Sequence, residues 1–550
     1  MILSSHVRAL AAHALVLFAC ASSTQAQRPV AAPPTYQPGI DVLDYEFALE
    51  LPDTGVMLRT DAMITLRRAA SVARLELDLV KAMTVRSVAV NGRTVSATHD
   101  GDRISIPLDG TGDSVRVRVV YDGPVSDGLI VRKDAKGRWS WFGDNWPNRG
   151  RNWLASVDHP SDKATVTWKV LTPVGRTVVA NGTLVSSRTT GAGANRRAEW
   201  LWRESRPIAT YLMVIGAGAI EKVDIKEPDC HYGDEGQCVR QQVYVMPENK
   251  RWLPGTFATA GPIVSLFERL VAPFPYEKLA HVESSTRFGG MENASAIFYD
   301  GKLFPEGRVG DGLIAHETAH QWFGDAVTER EWGHLWLSEG FATYFAALWT
   351  QHIRGDAAYR AEMANIRKQV LGDPVVAVRP VIDTAQRDYL KLLNTNSYQK
   401  GGYVLYMLHE LLGDTAFFGG IRSYYAKHRH GTALSDDLRV ALEESSGKSL
   451  RTYFDQWLRR PGAAEPTIGW AHDGATGVVT LLVLQDAAKG AYELPLPVTI
   501  TDAAGVVTRT TVNVPAESRA SVVIPGLFPA KPRSIVFDAD ARLLARITRL

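Results

Sequence analysis

Three cysteines in 550 residues are too few for a disulfide-built scaffold or for a zinc knuckle made mainly of thiolates. Excess charge of one sign is equally scarce. The 61 Lys and Arg stand against 59 Asp and Glu, which does not suggest a surface built to neutralise a phosphate backbone, so no nucleic-acid partner is expected. No stretch has the ~20 consecutive apolar residues of a bilayer span. Internal repeats are missing too. What remains, 45% hydrophobic and 22% charged, is an ordinary globular composition. At roughly 100–200 residues per domain it allows two to four domains.

The N-terminal residues read as an export signal. Residues 1–26 carry Arg8 as their sole permanent charge, an apolar run from Leu10 to Ala19 interrupted by His13, and small residues Thr24 and Ala26 before Gln27. A transmembrane anchor would need a longer run. The rival reading is lipoprotein processing at Cys20, where bulky Phe18 fits the motif poorly. The expected location is therefore periplasmic or secreted, with a lipid anchor at Cys20 as the alternative. Residues 27–39, with Pro29, Pro33, Pro34 and Pro38, form a linker. Once Cys20 is removed, Cys230 and Cys238 remain. In an exported chain the even count favours a disulfide closing that short polar loop, two free thiols or a metal site with His231 being the alternatives.

Hydrophobic periodicity divides the rest into an α+β multidomain chain. Residues 40–225 are mostly period two, and Asn91-Gly92 and Asn181-Gly182 look like hairpin turns, so an antiparallel β domain is expected. Gly216-Ala217-Gly218 imitates a dinucleotide fingerprint, but the third glycine is replaced by Glu221 and a Rossmann site is rejected. Residues 226–460 are mostly helical, with helices expected at 252–271, 312–323, 338–351, 357–370, 398–412 and 434–444. Residues 461–550 return to short strands, at 478–484, 506–514, 521–524 and 534–537, and read as a small β-sandwich.

Chemistry is concentrated in His316-Glu317-Thr318-Ala319-His320. Histidines four apart lie on one helix face and can reach one metal ion, while Glu317 on the neighbouring face can polarise a metal-bound water. A His-Glu pair alone is weak evidence, as His409-Glu410 without a second histidine illustrates. A catalytic zinc needs a third ligand and an open fourth position. Glu339, near the start of the next helix, could supply that ligand or merely complement the helix dipole behind a Ser338 cap. His334 between the two helices reads as structural.

Together, His316 to Gly324 and Trp336 to Tyr344 resemble the zinc core of the aminopeptidase N family of gluzincin metallopeptidases, which includes the leukotriene hydrolases. Gly289-Gly290-Met291-Glu292-Asn293 is similar to that family's exopeptidase motif, and Tyr398-Gln399-Lys400-Gly401 to its Tyr-Glu-Lys-Gly segment. Lesser matches at 158–164, 209–212 and 273–279 follow the family's order. The resemblance implies a thermolysin-like catalytic domain, one Zn2+ per chain held by His316, His320 and Glu339, and Glu317 as general base. It also implies Glu292 on the substrate's free α-ammonium and Tyr398 donating to the oxyanion. The implied substrates are peptides with a free N-terminus. The implied alternatives are a zinc endopeptidase or a bifunctional epoxide hydrolase; an inactive, zinc-stabilised binding protein is the reading from another class.

Two departures stand out. Family members carry a second amine-anchoring residue in a Gln-x-Glu or Gln-x-Gln segment, where this sequence has Asp144 and Trp146; Asp144 is the candidate substitute. Larger relatives also continue into a long helical domain that roofs the active site. A more open cleft, accepting oligopeptides of varied length, is expected here.

Overall fold

The computed structural model describes residues 36–134, 136–225 and 239–550. The expected signal, Cys20 and the Cys230–Cys238 pair lie outside them. Alternating apolar residues in the N-terminal part build an eight-stranded sheet centred on Ile40–Glu50, Met57–Arg68 and Ser114–Pro124. Its buried positions, such as Val115, Val117 and Val119, fall on alternate residues.

The N-terminal β domain is present, and two details differ from expectation. The sheet is not wholly antiparallel, because Ile40–Glu50 pairs in parallel with Lys163–Pro173, from Asp44 opposite Thr165 to Glu50 opposite Leu171. Parallel neighbours need a long crossover, and the intervening chain supplies it. Asn91-Gly92 does turn a hairpin, both residues having positive φ. Asn181-Gly182 does not: the strands on either side, Thr177–Ala180 and Thr183–Thr190, belong to different sheets. There Asn181 is buried and donates to the carbonyls of Leu212 and Ala294. Gly216 to Gly218 lie in a strand, Ile215–Gly218, in keeping with the rejected dinucleotide site.

Between the N-terminal sheets and the helices lies a five-stranded mixed sheet in which Arg240–Val245, Lys278–Ser284 and Ala296–Asp300 run parallel. Its edge strand, Gly290–Met291, is antiparallel. All seven residues of Lys278–Ser284 are buried, so the strand shows no alternation and its period is invisible in sequence.

Helix α1 (Ala260–Leu270) is shorter than the expected 252–271 element, because the chain leaves helical geometry at Phe257. Helix α2 (Asp311–His320) carries both histidines. Helix α3 (Trp336–Gly372) is interrupted at Gly355, φ +77°, which accounts for the two helices expected there. Helix α4 (Gly401–His428) is likewise broken at Gly413. A π-helical turn, Asn396–Lys400, leads into it and carries Tyr398. Helix α5 (Ser435–Ser446) starts where Asp437 accepts from the Leu434 amide at 2.8 Å.

The C-terminal strands form two sheets, one centred on Thr467–Asp473 and Val478–Leu484 and one on Leu494–Thr501. Val479, Leu481 and Val483 of the first and Leu496, Val498 and Ile500 of the second are buried, as sandwich packing requires. Their apolar cluster is continuous with that of the helices.

Candidate metal centre and substrate cleft

Packing of α2 against α3 builds the centre. Beyond α2, Phe323 stacks on Phe341 with ring centroids 4.2 Å apart and lies 5.2 Å from Phe345, and each such buried ring contributes roughly 1.5–3 kcal/mol. On the other side of α3, Gly340 meets Gly401 backbone to backbone; a Cβ on Gly340 would fall 2.9 Å from the Gly401 carbonyl carbon. The two glycines let the Tyr398 turn approach Glu339.

His316 Nε2 and His320 Nε2 are 3.2 Å apart, and Glu339 Oε2 is 3.3 Å from each. The ligand atoms of the three residues all lie within 4.8 Å of one another, and the same holds for Glu292, Glu317 and His320. Glu339 lies in the first turn of α3, but Ser338 is not its cap: the helix begins at Trp336. Ser338 Oγ instead lies 3.0 Å from His320 Nδ1, which is also 3.1 Å from the Phe323 carbonyl. Those partners fix the ring so that Nε2 faces Glu339. Tyr398 donates to Glu339 Oε1 at 2.9 Å.

The electrostatics of the cluster favour a cation among these carboxylates. Burial raises the Glu317 carboxyl well above its usual range, and burial likewise lifts Glu292 to about 7. Burial lowers His320, but the carboxylates of Glu339, Glu292 and Glu317 outweigh it and hold the imidazole well above 6.5. For Glu339 burial acts upward, yet His320 and His316 pull it down to about 2. Three buried carboxylates thus share two imidazoles, and Glu339 Oε2 is buried without a hydrogen-bond partner. A divalent cation ligated by two imidazoles and a carboxylate fits this donor set.

These groups line a cavity of about 620 Å³. Gly289, Gly290, Met291 and Glu292 form one wall, and a Cβ on Gly290 would overlap the Glu317 carboxylate, so only glycine lets the edge strand come this close. Gln321 holds the strand's end by donating to the Glu292 carbonyl and accepting from the Ser295 amide, both at 2.8 Å. Asn293 is buried, with no hydrogen-bond partner for its side-chain amide. Asp144 is fully buried and faces Arg149 at 3.1 Å and Arg287 at 3.7 Å; it is not among the residues lining the cavity, whereas Trp146 is. His334 pairs with Ser435 Oγ at 2.8 Å, away from the ligand triad. Neither the pairing of Ser338 with a histidine nor the Gly340–Gly401 contact has a local sequence signal.

Residues 259–457 match the Peptidase family M1 domain. Over this part the chain is similar to the aminopeptidase N family. Its similarity to members of that family extends beyond the matched domain. Aminopeptidase N of Streptomyces lividans is 28% identical over 439 residues, 75% of this chain and 49% of that protein. Probable aminopeptidase 1 of Sulfurisphaera tokodaii is 24% identical over 492 residues, 83% of this chain and 58% of that protein. The chain thus spans about half the length of these curated relatives. The solved M1 zinc metallopeptidase of Deinococcus radiodurans superposes with a TM-score of 0.66 at 24% identity, covering 77% of this chain and 94% of that one, and so shares its fold.

Proposed function

We propose that this chain is a zinc-dependent aminopeptidase that removes residues from the free N-terminus of peptides. The observation that carries this reading is the position of Glu292: a buried carboxylate without a Lys or Arg partner among the described residues, clustered with Glu317 and His320 in the cleft wall, by the end of α2. A peptide ammonium is the cation that such a group would accept, and holding it there leaves only the first peptide bond over the ligand set. An endopeptidase would need that position open and uncharged.

His316, His320 and Glu339 would hold one Zn2+. When bound, the ion supplies Lewis acidity to water and to the scissile carbonyl. Glu317 takes a proton from the attacking water and passes it to the leaving amine. Tyr398 turns its hydroxyl from Glu339 to the developing oxyanion. Buried in the edge strand beside Glu292, Met291 helps to exclude water from the ammonium site. The residues 1–26 support export to the periplasm or beyond, and the boundaries at 39, 225 and 460 are the domain limits this reading carries.

Zinc content and hydrolysis of an aminoacyl anilide, measured on one purified sample, test the proposal. Wild type should hold about one zinc per chain, and Glu317→Gln should keep the metal while losing about 10²–10⁴-fold in kcat. Undiminished turnover in Glu317→Gln would remove the basis of the mechanism.

A further inference from the structure

The cleft has an acid that the mechanism does not use. After the break at Gly355, α3 turns Glu362, Asn365, Ile366 and Gln369 toward the cavity. The spacing i, i+3, i+4, i+7 is one helix face. Glu362 is half-buried, while Asn365 and Gln369 are exposed, so this end opens to solvent. Its neighbours one turn away, Ala358, Tyr359, Asn365 and Ile366, offer no cation. Among the described residues Glu362 has no ion pair, and no Lys or Arg lines the cavity.

The cavity's direction follows from its helices. Along α2 it runs from His316 and Glu317 back to Gly312 and Leu313, and along α3 from Glu339 onward to Thr343 and Ala346. At 1.5 Å per residue the latter path covers about 10 Å. Glu292 groups instead with Glu317 and His320, at the other end of the α2 stretch that lines the cavity from Gly312 to His320. A peptide anchored at Glu292, with its first carbonyl at the ligand set, therefore sends its leaving portion toward Ala346 and Glu362. At about 3.3–3.6 Å per extended residue, the first two residues beyond the cleaved bond cover this distance with their side chains.

We propose that Glu362 is a specificity residue that selects Lys or Arg at the first or second position beyond the cleaved bond. The inference rests on the aminopeptidase reading above. A half-buried carboxylate in a cleft lined by acids and by no Lys or Arg attracts a cationic side chain and repels an acidic one, with little effect on the bond being broken.

Peptide amides Leu-Ala-X and Leu-X-Ala, with X as Lys, norleucine or Glu, provide the test, together with a leucyl anilide that has no side chain beyond the bond. Wild type should favour Lys over its neutral isostere about fivefold in kcat/KM at low salt. The preference should shrink at about 0.5 M salt. Glu362→Gln should lose it and Glu362→Lys should favour Glu, all three proteins cleaving the anilide alike. Calorimetric binding of the same peptides to Glu317→Gln should show the same ratio, lost on adding Glu362→Gln. An unaltered Lys preference in both Glu362 variants, or none in wild type that cleaves the anilide, would overturn the assignment. Failure of wild type to cleave the anilide would instead overturn the aminopeptidase reading, and this inference with it.

Discussion

The Tyr398 hydroxyl donates to Glu339 Oε1 at 2.9 Å, while Oε2 of the same carboxylate faces both histidines. One carboxylate therefore joins the proposed ligand set to the proposed oxyanion donor. If that donor acts in the reaction, Tyr398→Phe should lower kcat by about 10²–10³ with KM and zinc content nearly unchanged. A variant that loses zinc but retains full turnover once zinc is restored would assign Tyr398 to ligand support alone.

Ser338 Oγ lies 3.0 Å from His320 Nδ1, so it orients a proposed ligand that it does not accompany in sequence. Ser338→Ala should weaken zinc affinity about 10–100-fold, measured by competition with a chromogenic chelator, while zinc-saturated kcat changes less. Unchanged affinity would mean that the Phe323 carbonyl suffices to fix the ring.

Gly290 leaves no room for a Cβ beside Glu317. Gly290→Ala should therefore displace Glu317, the proposed general base, or the edge strand and depress kcat/KM by about 10²-fold, whereas Gly289→Ala, whose Cβ would meet nothing within 4 Å, should be nearly neutral. Steady-state kinetics of the pair decides the point; equal behaviour would mean that the strand adjusts freely.

Away from the cleft, burial pushes Asp162 up to about 7, although the Val42 amide donates to it at 3.3 Å. Its folded pKa lies above the unfolded value of ~3.9, so the protonated form favours the fold. That contribution is complete at low pH and disappears as pH rises from about 4 to 7. Asp162→Asn should flatten the decline over this window and be more stable than wild type at pH 8 by about 1–3 kcal/mol. Thermal unfolding midpoints across pH check this; parallel profiles for the two proteins would contradict it.

Much of this was legible because chemistry and periodicity are local. The i, i+4 histidines, Glu317 and Gly289–Glu292 each come from one short stretch of sequence, and all of them line one cavity. Glycine breaks at Gly355 and Gly413 were felt in sequence as ends of helical period. The central parallel strands were not, because burial on both faces erases alternation. Asn181-Gly182 misled for a related reason: its turn chemistry is real, but the sheet to which each flanking strand belongs is a long-range property. Ser338 and Asp144 show the same limit from the side of the site. A serine before an acid has the form of a cap until the helix start is known, and an acid at a motif position has the form of an anchor until Arg149 is seen against it.

The central claim is that Glu292 recognises a free N-terminus. It is tested most directly by comparing kcat/KM for one peptide and its N-acetylated form, in wild type and in Glu292→Gln loaded with zinc. The account predicts that wild type prefers the free peptide by at least about 10²-fold and that Glu292→Gln loses most of that preference through the free peptide alone. Equal cleavage of both peptides by wild type would contradict it.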